Sequence, residues 1–502
     1  MSYLVQREAN QEPGAGDSEE SHLTRRQFLK LAARLVGGVS LLGAGLGALL
    51  GACGRKDGTS NTVATIPHSS TSFSSSTTEI STTSTTIASG PEKGRPLRIG
   101  VVIATSGPLA LFGKADAWWM AHVKATLPEG LLCGDNKLHP LDFMTWECRS
   151  EAALAARGAA YLISEARADA LFATGGLEVV NAVADEAERL LCPCLANFVD
   201  WRGFAAREGV PERPLKFSYA HAFSLEHVMA AFIAVWEKVL TNRKVGVLVP
   251  DTAEGAFWRD ETAGVGAAAS RQGYEVTMPE PYSIPCADFS PHIDEFVKNG
   301  CEICCAVMPA LEFASFWRQA ERKKFKPKVV TIRQALFSPH VAEGLGFRAE
   351  GLVGEALWLP DWPYSDSISR RTCRELAEDY MRKTGDHWTS AIGGYARFEW
   401  AAQIWRKVKD VDSKREFLEQ LKQTRASTCL GVIDFSAEAY GVMQPGQLAI
   451  GPRPADTVCL APVAAAQWKT IGRSGIQPVQ VYAVGRPELG RNRPVDLLEY
   501  ET

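Results

Sequence analysis

From Leu97 onward the chain alternates short apolar runs with amphipathic stretches. "LRIGVVIA" (97–104) reads as a strand buried on both faces, and "GKADAWWMAHVKATL" (113–127) as the helix after it. The pattern continues with strands at 141–148, 168–175 and 192–198 and helices at 151–166 and 179–191. A second cycle follows: helix 226–240, strand 244–251, helix 256–273, strand 274–283, helix 288–300, strand 301–308, helix 312–324 and strand 327–332. Continuous apolar strands separated by helices of this length specify parallel sheets covered by helices on both faces. The expected fold class is therefore α/β, with two doubly wound units in tandem. In such sheets a ligand lies beyond the carboxyl ends of the strands, so two facing units create a cleft.

The region before this body is of a different kind. "LTRRQFLKLAARLVGGVSLLGAGLGALLGACGRK" (23–56) begins with paired arginines and ends at a cysteine. Its uncharged part, Leu35 to Ala52, is barely long enough to span a bilayer and is rich in glycine, a poor helix former. A charged start, a short apolar run and small residues before a cut site describe an export signal, with a plain transmembrane anchor as the alternative. Thr24-Arg25-Arg26-Gln27-Phe28-Leu29-Lys30 resembles a twin-arginine signal. Leu50-Gly51-Ala52-Cys53 resembles a lipobox, which implies lipid on Cys53. The segment that follows is dominated by Ser and Thr and cannot bury enough surface to fold, so it reads as a linker. The resulting expectation is a signal peptide over 1–52, a lipidated linker over 53–94, and a body held at the outer face of the cytoplasmic membrane or in the periplasm.

A formal net charge of −4 and the lack of a basic block in the body argue against nucleic acid as a partner. "CPC" (192–194) and "CEICC" (301–305) lie in apolar runs with no second cysteine pair or histidine nearby. They read as buried thiols or disulfides rather than a metal site, and Cys133 with Cys148 is a candidate pair. No metal and no cofactor is expected. Nucleophile-elbow, phosphate-loop and dinucleotide signatures are missing, which argues against an enzyme.

An ordered series of segments resembles the type I solute-binding proteins of the branched-chain amino acid class. It comprises "LRIGVVIATSGPLALFGKADAWW", "VADEAERLLCPCL", "YSIPCADFSPHIDEF", "FWRQAERKKFKP", "GLVGEALWLPDWP", "AIGGYARFEWAAQIWRKV" and "GVIDFSAEAYGVMQPGQLAI". The resemblance implies two lobes joined by a three-strand hinge. Lobe one would be 95–219 plus 358–447 and lobe two 220–357 plus 448–473, leaving 474–502 as an unplaced extension. It implies a small-molecule solute trapped by hinge closure and handed to an ABC permease with its ATPase; the other reading is a tethered sensor ectodomain. It also places Thr105, Ser106 and Phe112 in the cleft, with Phe112 as a core aromatic the alternative.

Several positions depart from the family pattern. Gly176, Leu177 and Glu178 stand in "ATGGLEVVN", where relatives carry a serine pair for a ligand carboxylate. Phe198, Asp200 and Trp201 follow the fourth strand, with Asp200 where relatives place a carboxylate-binding threonine. Glu254, Phe257 and Trp258 are the lobe-two candidates and Tyr395 completes the set. Arg333 and Gln334 lie nearest the family's amine-binding glutamate. Acidic groups with aromatic walls, including Trp358, Trp362 and Trp388, favour an amine, amide, cationic or aromatic guest. Asp200 could equally cap the next turn.

Overall fold

Strand β1, Leu97–Ile103, occupies the inside of a six-stranded sheet, and its side chains are almost all buried. The computed structural model describes residues 90–206, 215–335, 337, 339–435, 456–471, 475–490, 492–498 and 500. The leader, Cys53 and most of the linker lie outside these residues. In chain order the first sheet uses β1, β2 (Leu141–Glu147), β3 (Ala170–Thr174), β4 (Cys194–Asp200) and β5 (Ser218–Phe223). The second uses β6 (Lys244–Leu248), β7 (Glu275–Thr277), β8 (Ile303–Met308), β9 (Val329–Gln334) and β10 (Val353–Ala356). Three further strands, β11 (Val458–Leu460), β12 (Ala464–Thr470) and β13 (Ile476–Ala483), finish the two sheets. Their orders are β11-β5-β4-β3-β1-β2 and β13-β12-β10-β9-β8-β6-β7. The first sheet is parallel throughout, whereas β12 and β13 add to the second antiparallel.

The chain thus folds as α/β with two parallel-sheet lobes. It passes between them after β5, after β10, and between β11 and β12. Residues 364–435 return to the first lobe: Tyr395 donates to Asp366, and the helix Ala396–Trp405 packs on β4. Helices cover both faces of each sheet, so central strands lose all water. All six side chains of β8 are buried. Each fully buried aliphatic or aromatic side chain contributes about 1.5–3 kcal/mol, which is why these runs carry no polar alternation.

Five features differ from expectation. The helix expected over 256–273 is two helices, Ala253–Arg259 and Val265–Arg271. Asp260 breaks it by turning its carboxylate onto the N–H groups of Thr262 and Ala263, an alternative that short acidic side chains offer the backbone. The strand expected over 274–283 shrinks to Glu275–Thr277. Val458–Leu460, expected in lobe two, pairs with β5 in the first sheet. The extension 474–502 has a place after all: its β13 forms the edge of the second sheet. None of the eleven body cysteines is joined in a disulfide, Cys133 and Cys148 included, so the candidate pair is not formed.

Candidate functional site

The carboxyl ends of the two sheets face each other, and the residues there are charged or aromatic. On the first lobe β4 ends in a bulge against β5 between Asn197 and Asp200. Phe198 sits at φ 54° there, a left-handed conformation costly for a bulky residue. The bulge turns its ring toward Phe112, 5.6 Å away between centroids. Across the cleft, β9 ends in Gln334 at φ 77°. Phe337, just beyond, meets Phe112 at 5.5 Å and Phe198 at 6.2 Å. Two non-glycine residues with positive φ thus stand at the facing strand ends.

Asp200 is fixed by backbone donors. Its Oδ2 accepts the N–H groups of Arg202 and Gly203, both at 3.1 Å, and its Oδ1 accepts that of Leu225 at 3.2 Å. It therefore caps the turn of helix Trp201–Ala206 as well as facing the cleft. Burial pushes its carboxyl up to about 7, with Glu226 and Glu254 adding to the rise and the backbone donors opposing it. Glu226 is buried, accepts from Ser224 Oγ at 2.7 Å and Trp201 Nε1 at 3.3 Å, and pairs with Arg202. The Arg202 guanidinium lies 4.7 Å over Trp201 and 5.6 Å over Phe257 of the other lobe. It thus spans the cleft by cation–π contact.

The lobe-two half is built on Arg333, which is 7% exposed. It pairs with the buried Glu355, lies 3.1 Å from Glu254 Oε1 and stacks 5.0 Å over Phe223. Burial works against its charge, but Glu254 and Glu355 outweigh it and raise its pKa. Burial pushes Glu355 up, opposed by Arg333. Gln334 holds both acids, giving its backbone N–H to Glu355 at 3.1 Å and its amide to Glu254 Oε2 at 2.9 Å. Glu254 Oε1 and Arg333 Nε are buried without a well-aligned hydrogen bond, held together by charge alone. The site holds four carboxylates, Asp200, Glu226, Glu254 and Glu355, against the guanidiniums of Arg202 and Arg333.

The remaining candidates are placed as follows. The Thr105 hydroxyl and N–H are both taken by Glu147. Ser106 is exposed, and its carbonyl accepts from Ser150 Oγ at 2.7 Å. Gly175 and Gly176 are left-handed, and a Cβ on Gly175 would stand 2.5 Å from the Phe112 ring. The double glycine therefore leaves room for the Phe112 ring. Leu177 opens helix Leu177–Arg189 and packs over Gly203, while Glu178 is exposed in its first turn.

Trp258 and Tyr395 are not brought to the cleft. Trp258 is fully buried beside Phe232, and Tyr395 is fully buried between Trp118 and His122. Trp358, Trp362 and Trp388 are buried near the hinge. Trp388 and Phe337 help line a small recess with Glu355 and Trp468. Sequence reasoning missed Arg202, Glu226, Phe337 and Glu355. The available signal was a lone charge inside an apolar strand, as in "VGEA". Among the described residues no group of His, Cys, Asp and Glu is arranged to hold a metal, and no helix is long and apolar enough to cross a membrane.

Similar solved structures share this architecture. A leucine-binding protein, LivK, from Thermotoga maritima has 16% identity and a TM-score of 0.59, with 78% of this chain and 100% of that chain covered. An ABC transporter substrate-binding protein from Sphaerobacter thermophilus has 16% identity and a TM-score of 0.61, covering 78% and 98%. A solute-binding protein of an ABC transporter from Rhodopseudomonas palustris, in complex with benzoate, has 13% identity and a TM-score of 0.57, covering 81% and 98%. No curated protein matches the sequence. The family model described as periplasmic binding protein matches residues 96–450, most of the chain, and the chain belongs to that family.

Proposed function

We propose that the protein is the substrate-binding component of an ABC-type uptake system. It captures a small polar organic solute between its lobes and delivers it to the membrane permease and ATPase, without catalysis. Membership of the periplasmic binding protein family supports the class, and nothing in the site favours a sensor ectodomain. Lipid on Cys53 would tether the body outside the cell; mass spectrometry of the exported chain tests this, and an intact leader with bare Cys53 refutes it.

The observation that carries the ligand reading is the charge at the facing strand ends. Asp200 is only partly ionised near neutral pH, but Glu226, Glu254 and Glu355 against two guanidiniums still leave the site negative, with Glu254 and Arg333 each retaining a buried atom without a hydrogen bond. Aromatic rings wall the same space. A guest with an amine, amide or other cationic group, or an aromatic body, suits these surfaces. A carboxylate guest would meet Asp200 and Glu254. Thermal-shift screening against amino acids, amides, polyamines and aromatic acids is the test. A binder at 100-fold excess over its Kd adds about 2.7 kcal/mol to stability. A shift produced by aliphatic amino acids alone would refute the ligand reading.

A further inference from the structure

The segment beyond the family match is seated on one lobe and bonded to the other. Its strand β13 is paired to β12 along its whole length, and Lys238 Nζ donates to the Val481 carbonyl at 2.6 Å. Further on, Asp496 exchanges 2.8 Å hydrogen bonds with the buried Gln467, and Leu498 N donates to the Lys328 carbonyl at 3.1 Å. These contacts all lie in lobe two. Four others reach lobe one. Trp362 Nε1 donates to Gln480 Oε1 at 3.0 Å, and the Tyr364 hydroxyl donates to Glu488 Oε1 at 3.2 Å. Gln477 Nε2 lies 3.3 Å from His387 Nε2. Arg486, 5% exposed, donates from Nη2 to the Leu460 carbonyl at 2.8 Å.

The lobe-one partners are themselves anchored. Cys373 N donates to the Tyr364 carbonyl, and Asp386, beside His387, pairs with Lys114 of the helix Ala110–Thr126. Leu460 ends the first sheet's edge strand, immediately before the chain crosses to β12. The bonds therefore flank a hinge crossing. They coexist with the cross-cleft ring contacts of Phe112 and Phe337, so both belong to the same closed arrangement.

We infer that residues 476–490 form a strap across the hinge, which favours the closed lobes by holding Trp362, Tyr364, His387 and the Leu460 carbonyl to lobe two. A contact made in one of two conformations biases the equilibrium by its differential strength alone. The inference rests on the two-lobe closure of the proposed function but needs no ligand, so each can fail without the other.

The test is hydrogen–deuterium exchange of the full-length chain without added ligand. The variant Q480A/E488A removes two acceptors and leaves the β12–β13 backbone ladder intact. Peptides over 196–203 and 333–339 should exchange several-fold faster, while β1 and β8 stay unchanged. D496A, which removes only the ion pair of Asp496 with Lys469 of β12 inside lobe two, should leave the cleft peptides as in the wild type. Trp362→Phe keeps the ring and removes the donor; it should speed the same peptides and be non-additive with Q480A. Unchanged cleft peptides in both Q480A/E488A and Trp362→Phe, or equal acceleration by D496A, would overturn the strap.

Discussion

Asp200 offers a direct test of the electrostatics of the site, because its carboxyl is displaced far enough to register in folding stability. Its folded pKa of about 7 lies above the ordinary aspartate value of 3.8. A raised carboxyl binds its proton more tightly in the folded chain, so its stabilising contribution is complete below pH 3.8 and is lost as pH rises through 7. Between those values the unfolded chain has released the proton and the folded chain has not, giving a slope near −1.4 kcal/mol per pH unit. From pH 5 to pH 8 this one group should cost the wild type about 2.6 kcal/mol, which partial solvent access reduces to roughly 1–2.5 kcal/mol. Asp200→Asn removes the titration and keeps an acceptor for the helix cap. Urea unfolding of both proteins at pH 5 and pH 8 supplies the comparison. The advantage of wild type over D200N should shrink by that amount at the higher pH. A difference that stays constant within about 0.5 kcal/mol would mean that Asp200 is ionised throughout, and the argument from burial and neighbouring acids would fail.

Three further outcomes follow from packing. Asp116 and Arg397 form a buried ion pair beneath Trp119; Asp116→Ala strands the guanidinium and should cost about 3–5 kcal/mol in chemical unfolding. Gly175→Ala meets both a left-handed φ of 70° and the Phe112 ring; it should cost about 1–3 kcal/mol and lower the melting temperature measured by calorimetry. Of the eleven body cysteines only Cys286 is partly exposed, so brief iodoacetamide treatment of the native protein should label that residue first, as mass spectrometry can check.

The sequence shows the sheets clearly and the site poorly, for physical reasons. A strand buried on both faces must be apolar, so β8 is visible as an uninterrupted run and β1 as one broken only by Arg98 near its start. Register between distant strands leaves no such trace. Arg333 and Glu355 each interrupt an apolar strand, but that they form a pair depends on β9 lying beside β10. Aromatic identity does not state direction: Trp258 and Phe257 are adjacent, yet one fills the core and the other meets Arg202 across the cleft. The break at Asp260 is a competition between side-chain and helical hydrogen bonds that periodicity alone does not reveal. The extension escapes detection because β13 is an edge strand of half-buried residues whose partner, β12, is itself a late addition to the sheet.

The pieces that sequence could not join are those that couple the lobes. Asp200 lies on lobe one, whereas Glu254 lies on lobe two, and both Glu226 and Glu254 raise the carboxyl of Asp200. Glu226 has the larger influence of the two. Replacing either acid by glutamine should lower the Asp200 pKa and reduce the loss of stability between pH 5 and pH 8, with Glu226→Gln acting more strongly than Glu254→Gln. The Glu254→Gln effect is the informative one, because Glu226 sits at the hinge crossing, next to the Leu225 N–H that Asp200 accepts, whereas Glu254 senses Asp200 only across the closed cleft. It should amount to no more than about 0.5 kcal/mol at neutral pH, and it should vanish in D200N, the signature of direct coupling. Equal effects of Glu254→Gln in the wild-type and D200N backgrounds would show that the two carboxylates do not sense each other. The negative charge assigned to the closed cleft would then be two separate surfaces rather than one site.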